Sequence, residues 1–304
     1  MKNRRVHILL TIAVLFVVAT VASVTALTSS QSRRSNAPPK RPVELTNRTI
    51  SPSESSSTAF SAAAAQNAIL RNEVTWTFGG KQQRGWYLYD LLIGKTLDTP
   101  HDPITSEFAT ILAKWQKKRG LRADGQLDEA SLMKLVSHWQ GDRLKTREPA
   151  TPDQLILAPA TDFYDPGRAT ELRQVERNTY EAYKQMIAAA HADPSLNLKS
   201  TDKYLKIVSA FRSPEYQEQL RRQSPNSGSA GLAVNSPHFT GRALDIYVGG
   251  SPVDTKDANR AIQVNTPAYR WLVHNAERFG FRPYFYEPWH WEYVPQKGTK
   301  EDTK

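Results

Sequence analysis

Between Thr105 and Trp139 the apolar positions recur at helical spacing. In "SEFATILAKWQKKRGLRADGQLDEASLMKLVSHWQ", Phe108, Ile111, Leu112 and Trp115 share one face, and Leu132, Leu135, Val136 and Trp139 share another. Gly120 is the expected stop of the first helix and Asp128 the expected N-cap of the second. The pattern predicts a helical pair around "GLRADGQLD". Just upstream, "VTWTF" and "WYLYDLL" flank "GGKQQRG", which predicts a hairpin with a long loop. These signals place a small, mainly helical domain over residues 74–145.

After "GDRLKTREPATPDQ" a second domain is expected over residues 155–297. Leu172, Val175, Thr179, Ala182, Met186 and Ala190 predict one long helix, which Asp193-Pro194 should terminate. "YLKIVSAFRS", "ALDIYV" and "WHWEYV" read as strands, the last rich in aromatics. "PAYRWLVHNAERFGF" predicts a helix with Tyr269, Leu272, Val273, Ala276 and Phe279 inward and Gly280 at its end. Helices and strands mix without a regular βαβ repeat, so the expected class is α+β: a small antiparallel sheet flanked by helices, preceded by the helical domain.

Outside these domains the pattern changes. Residues 28–70 are rich in Ser, Pro, Asn and Arg at their start and predict a flexible linker, and residues 298–304 a polar tail. Lys2, Arg4 and Arg5 precede an apolar run from Val6 to Leu27, the layout of an export signal. That run is about long enough to span a bilayer, so residues 1–27 are either a removed signal peptide or a membrane anchor held through residues 6–27. Both alternatives put the main body outside the cytoplasm, in a periplasm or cell wall.

Composition narrows the chemistry. The 304 residues carry a formal net charge of +10, which favours anionic surroundings, although no nucleic-acid motif is present and an export signal argues against such a partner. Cysteine is absent, which excludes disulfides, thiolate ligands and thiol catalysis. A metal would have to be held by His, Asp and Glu.

Two stretches supply such groups. In "NSPHFTGRALDIYV", His238 precedes Asp245 by seven positions, and strand alternation puts Leu244, Ile246 and Val248 on one face and Ala243, Asp245 and Tyr247 on the other. In "EPWHWEYV", His290, Glu292 and Val294 fall opposite Trp289, Trp291 and Tyr293. His101, His138, His191 and His274 lack ligand spacing and are assigned to surface or core roles.

The combination "S-x-H-x-x-G-x-A-x-D" followed by "E-x-W-H" resembles the zinc D-alanyl-D-alanine carboxypeptidase family, which shares its fold with the hedgehog signalling domain. The resemblance covers about Asp202 to Pro295. It implies that His238, Asp245 and His290 bind Zn2+ and that Glu287 is the catalytic base. Three protein ligands would leave a fourth position for water and lower its pKa to roughly 7. Alternation alone favours Glu292 as base, about 7 Å along the strand from His290, but Pro288 can bend the chain and turn Glu287 toward the metal; Glu292 is then a partner of the ligands. "SAFRSPEYQ" fits the family's "S-G-Y-R-S-x-x-x-Q", with Ala210 and Phe211 in place of Gly and Tyr, and implies Arg212 as the group that stabilises the oxyanion. Gln217 and Ser236 are expected to contact substrate.

Trp115-Gln116, Gly120-Leu121 and Asp124-Gly125 are similar to the motif of small three-helix peptidoglycan-binding modules. Together the resemblances imply an exported zinc hydrolase that removes terminal D-alanine from peptidoglycan stem peptides, with D,D or L,D preference open. An endopeptidase on the same metal site, and a metal-containing wall binder without activity, are the competing readings.

Overall fold

Alanine dominates the sequence from Ala59 to Ala68, and alanine is the residue that loses least on entering a helix. The computed structural model describes residues 52–199, 201–224 and 232–294, with side chains from residue 60 onward. It opens on helix α1, Pro52–Glu73, so the linker expected over 28–70 does not extend through its last third. The small Ala63 and Ala64 are buried, which lets α1 approach helix α3, Ser106–Lys118, closely. The apolar run 6–27, the linker up to residue 51 and the tail 298–304 lie outside the described residues. Among the described residues no helix is long and apolar enough to cross a membrane.

A hairpin follows α1, but not the expected one. Strands β1, Thr75–Phe78, and β2, Lys81–Arg84, pair through a two-residue turn at Gly79-Gly80, both with positive φ. "WYLYDLL" is a 3-10 turn at Tyr87–Tyr89 leading into helix α2, Asp90–Leu97. The paired helices appear as read: α3 is capped by Thr105, Gly120 follows its end at φ +72°, and Asp128 accepts from the Ser131 N–H to cap α4, Glu129–Gly141.

The single helix expected from Leu172 is interrupted. Leu172 lies in a 3-10 turn, and Val175 in strand β4, Gln174–Glu176, which pairs with β3, Leu155–Leu157. Helix α5 starts only at Arg177 and runs to Ala192, because the Glu176 carboxylate accepts from the Asn178 and Thr179 N–H groups and caps it there.

The central element is a four-stranded antiparallel sheet in the order β5, β6, β8, β7, comprising Ile207–Ser209, Ala243–Ile246, His290–Tyr293 and Phe281–Pro283. Helix α6, Pro214–Gln223, follows β5; α7, Asp257–Val264, and α8, Pro267–Asn275, fill the connection between β6 and β7. Gly280 ends that helical segment in the left-handed region at φ 84°. The expected α+β class is what the fold displays.

The described residues from Pro52 onward cluster as one compact unit, so the helical part and the sheet are packed together rather than strung on a linker. Phe285 makes the join. Its ring meets Trp76, Phe78, Tyr89 and Trp139 from the helical side at centroid distances of 4.7–6.3 Å, in tilted and edge-on geometries that favour aromatic pairs.

Candidate metal centre and active site

Antiparallel pairing builds the centre as a row across three strands. Ser209 on β5 stands opposite Asp245 on β6, and Asp245 stands opposite His290 on β8. Directly paired residues share a face, so this register alone brings the Asp245 and His290 side chains together. One pleat along, Ala243 pairs with Glu292 and leaves space on that face for the longer carboxylate.

His238 arrives from outside the sheet. It sits in a 3-10 turn, Pro237–Thr240, in which the His238 N–H donates to the Ser236 hydroxyl, and the turn closes at Gly241 with φ 65°. A side chain at Gly241 is excluded twice over, by that φ and by the Glu176 backbone nitrogen 2.9 Å from where a Cβ would stand. Gly241 thus passes the chain directly from the His238 turn into the strand that carries Asp245.

The three residues offer ligand atoms that all lie within 4.8 Å of one another, and all three are buried. Asp245 Oδ1 is 3.3 Å from His238 Nε2 and 3.0 Å from His290 Nδ1. The far nitrogen of each ring fixes the tautomer. His238 Nδ1 lies 2.6 Å from the Ala210 carbonyl, which can only accept, so Nδ1 carries the hydrogen and Nε2 presents a lone pair. His290 faces a carboxylate at each nitrogen, Nε2 toward Glu292 at 3.2 Å and Nδ1 toward Asp245 at 3.0 Å, so Nε2 would keep its hydrogen when a cation displaced the one on Nδ1. Two imidazole nitrogens and a carboxylate oxygen therefore face one point, where a cation would take the place of the proton between His290 and Asp245. A cation fits that arrangement: ligand bonds of about 2.0–2.1 Å in a tetrahedral zinc site place donor atoms about 3.3 Å apart, close to the two separations seen.

The titration behaviour of the residues follows from the same crowding. Burial would raise the Asp245 carboxyl, but the His238 and Arg212 charges and hydrogen bonds from both histidines hold it well below the usual carboxylate range. Burial, reinforced by Arg212, pushes His238 down to about 4. Burial also pulls on His290, yet hydrogen bonds to Asp245 and Glu292 outweigh it and hold the ring up at about 9. Glu287 is pushed up to about 8 by burial, opposed by the His290 charge.

Pro288 bends the chain as expected. The Glu287 carbonyl accepts from the His290 N–H at 2.9 Å, and the tight turn puts Glu287 on the wall of the same cleft as His238, Asp245 and His290. Glu292 instead lies fully buried behind His290, which separates the two candidate bases in space.

The cleft has a volume of about 570 Å³ and is lined by four arginines, Arg143, Arg147, Arg168 and Arg212. Arg212 donates to Asp245 Oδ2 at 2.5 Å, to Ser209 Oγ at 2.9 Å and to Gln217 Oε1 at 3.3 Å. Ser236 lines the cleft while capping the His238 turn. Gln217, expected against substrate, is buried behind Arg212: its oxygen accepts from that guanidinium and its amide donates to the Ala233 carbonyl. It positions Arg212.

Sequence reasoning missed Arg143, Arg147 and Arg168, and also the turn residues Phe78 and Gly79, all of which line the cleft. Arg143 and Arg147 fall in a stretch read as a connection, and only long-range packing brings them to the site.

A small antiparallel sheet thus carries a buried His–Asp–His set that could hold a metal ion, with a buried glutamate on the same cleft wall. Residues 172–296 match the family model described as VanY, D-alanyl-D-alanine carboxypeptidase, which bears out the resemblance read from the motifs. No curated protein matches the chain. A solved LdcB LD-carboxypeptidase, described for its peptidoglycan recognition, is 24% identical over 49% of this chain and 71% of that one, with a TM-score of 0.36.

Proposed function

We propose that this protein is a zinc-dependent carboxypeptidase of peptidoglycan stem peptides, acting outside the cytoplasm and carried there by the apolar segment 6–27. The observation that carries the reading is the convergence of His238, Asp245 and His290 ligand atoms on one point, with Glu287 buried on the same wall. Zinc bound there supplies Lewis acidity and lowers the pKa of a water to about 7.

The chain's own residues account for the remaining steps. Glu287, the buried carboxylate on the cleft wall beside His290, takes the proton of the attacking water and returns it to the leaving amine. Arg212, kept in place by Ser209 and Gln217, offers fixed positive charge to the oxyanion. Arg168 has neutral partners, the Leu172 carbonyl and the Ser209 hydroxyl, so its charge is available to a substrate carboxylate. A cleft so rich in arginine suits a peptide that ends in a carboxylate.

Incubation of the purified protein with defined tetra- and pentapeptide stems, with and without chelator, tests this. Release of alanine alone, abolished by chelator, is the expected result, and the stem that reacts reveals D,D or L,D preference. Cleavage inside the stem would make the protein an endopeptidase. Binding without product would make it a wall receptor.

A further inference from the structure

The segment that leaves α4 reaches back under the metal centre. Arg143 donates from Nε at 3.0 Å and from Nη2 at 2.5 Å to Glu292 Oε1. The Leu144 N–H donates to Glu292 Oε2 at 2.9 Å, and Arg147 Nη1 lies 3.3 Å from Oε1. The same Oε1 faces His290 Nε2. Arg143 is itself fixed, donating to Gln140 Oε1 at 2.8 Å with its guanidinium 3.9 Å from the centre of the Tyr284 ring. Glu292 is wholly inaccessible to solvent.

A carboxylate buried this deeply stays ionised only if cations compensate it. Ionised and clamped, it accepts the His290 Nε2 hydrogen, and so fixes the ring with Nδ1 toward Asp245, the nitrogen that would ligate the ion. None of the clamping residues belongs to the stretch that matches the peptidase family, which starts at residue 172.

We infer that Arg143 and Arg147, supplied by the helical part of the chain, are positioning residues that set metal affinity by clamping Glu292 onto His290. The helical part is thus a component of the catalytic centre, whatever polymer it also touches. This inference rests on the reading of His238, Asp245 and His290 as a zinc site.

The test compares full-length wild type with Arg143→Met, Arg143→Lys, Arg147→Met and Glu292→Gln. Zinc affinity is measured by competition with a chromogenic chelator, the visible spectrum is recorded after Co2+ loading, and the melting temperature of each metal-free protein is recorded separately. Loss of an outer partner of a ligand typically weakens metal binding about 10- to 100-fold. Arg143→Met and Glu292→Gln are expected in that range with altered Co2+ bands, Arg147→Met is expected to lose less, and Arg143→Lys to recover most of the affinity. Unchanged zinc affinity and Co2+ spectrum in Arg143→Met and Glu292→Gln, even with a lowered melting temperature, would reduce the clamp to a structural contact and overturn the inference alone. Should Arg143→Met not fold, Arg147→Met and Glu292→Gln decide by the same criterion. Wild type that takes up no zinc would overturn both this inference and the reading beneath it, whereas wild type that binds zinc without cleaving stems would overturn only the proposed activity.

Discussion

The helices before residue 145 and the sheet after residue 200 both enclose aromatic cores, yet they bury different kinds of polar group. In the helical part the fully buried polar side chains are Asn67, Gln116 and Ser131, all neutral. Gln116 accepts from the Gly125 N–H and donates to the Gln126 carbonyl and Ser131 hydroxyl, while Asn67 spans the Gly125 carbonyl and the Leu127 N–H. Every such group serves the loop between α3 and α4. Around the sheet the buried polar side chains include His238, Asp245, Glu287 and His290, which are ionisable and line one cleft, with Glu292 behind His290. Arg260 is buried as well, but its contacts are with Asp257, the Tyr286 carbonyl and the Tyr89 hydroxyl, away from the metal ligands. Neutral buried polarity completes hydrogen bonds and shapes a loop. Buried charge costs stability unless partnered, and its concentration at one place marks chemistry.

The sharpest way to break this contrast is to remove charge from the cleft without changing its shape. Glu287→Gln should slow stem-peptide hydrolysis by about 10²- to 10⁴-fold, the usual contribution of a general base, while bound zinc measured by metal analysis stays stoichiometric. Full activity in this variant would remove Glu287 from the base role. Next in size, Phe285→Ala should cost about 3–5 kcal/mol in denaturant unfolding, because one ring serves both cores. A loss near that of an exposed phenylalanine would contradict the shared packing.

The metal-free protein gives the third test. Groups whose folded pKa is raised, His290 to about 9 and Glu287 to about 8, stabilise the fold while protonated and lose that contribution as pH rises. His238, held near 4, acts oppositely on the acid side, its contribution fading as pH falls from 6.5 toward 4. Chelator-treated protein should therefore melt at progressively lower temperature from pH 6.5 to 9, a fall that saturating zinc abolishes. A flat profile would mean that the two raised groups do not hold their protons. The smallest expected effect is in the helical part: Gln116→Ala should cost about 1–3 kcal/mol by stranding the Gly125 N–H, with kcat of the folded protein unchanged.

The roles assigned to His238, Asp245, His290 and Glu287 come from the motif resemblance and not from periodicity, since alternation alone favours Glu292 as the base. Strand alternation gives Asp245 and His290 their faces and the register of β6 with β8 brings them together, whereas His238 and Glu287 reach the cleft through turns. Gln217 was misjudged because five residues separate it from Arg212 across a helix cap, and which of the two faces the cleft depends on packing behind α6. Helix α1 was read partly as linker because its alanines carry little hydrophobic signal, although their small size is what lets α1 dock on α3. The Arg143 contact to Glu292 joins residues 149 positions apart, and no periodicity encodes that.

Gly241 gives the seven-residue interval between His238 and Asp245 the character of a ruler. The turn before it and the strand after it are both in fixed phase, so one residue added or removed between Gly241 and Asp245 would roll the carboxylate to the opposite side of the sheet and put an aliphatic neighbour in its place. The composition would be almost untouched and the pocket still hollow, yet the His–Asp–His set would have lost its one negatively charged member. A change in chain length at this point should thus disable the site more completely than many changes of side chain within it.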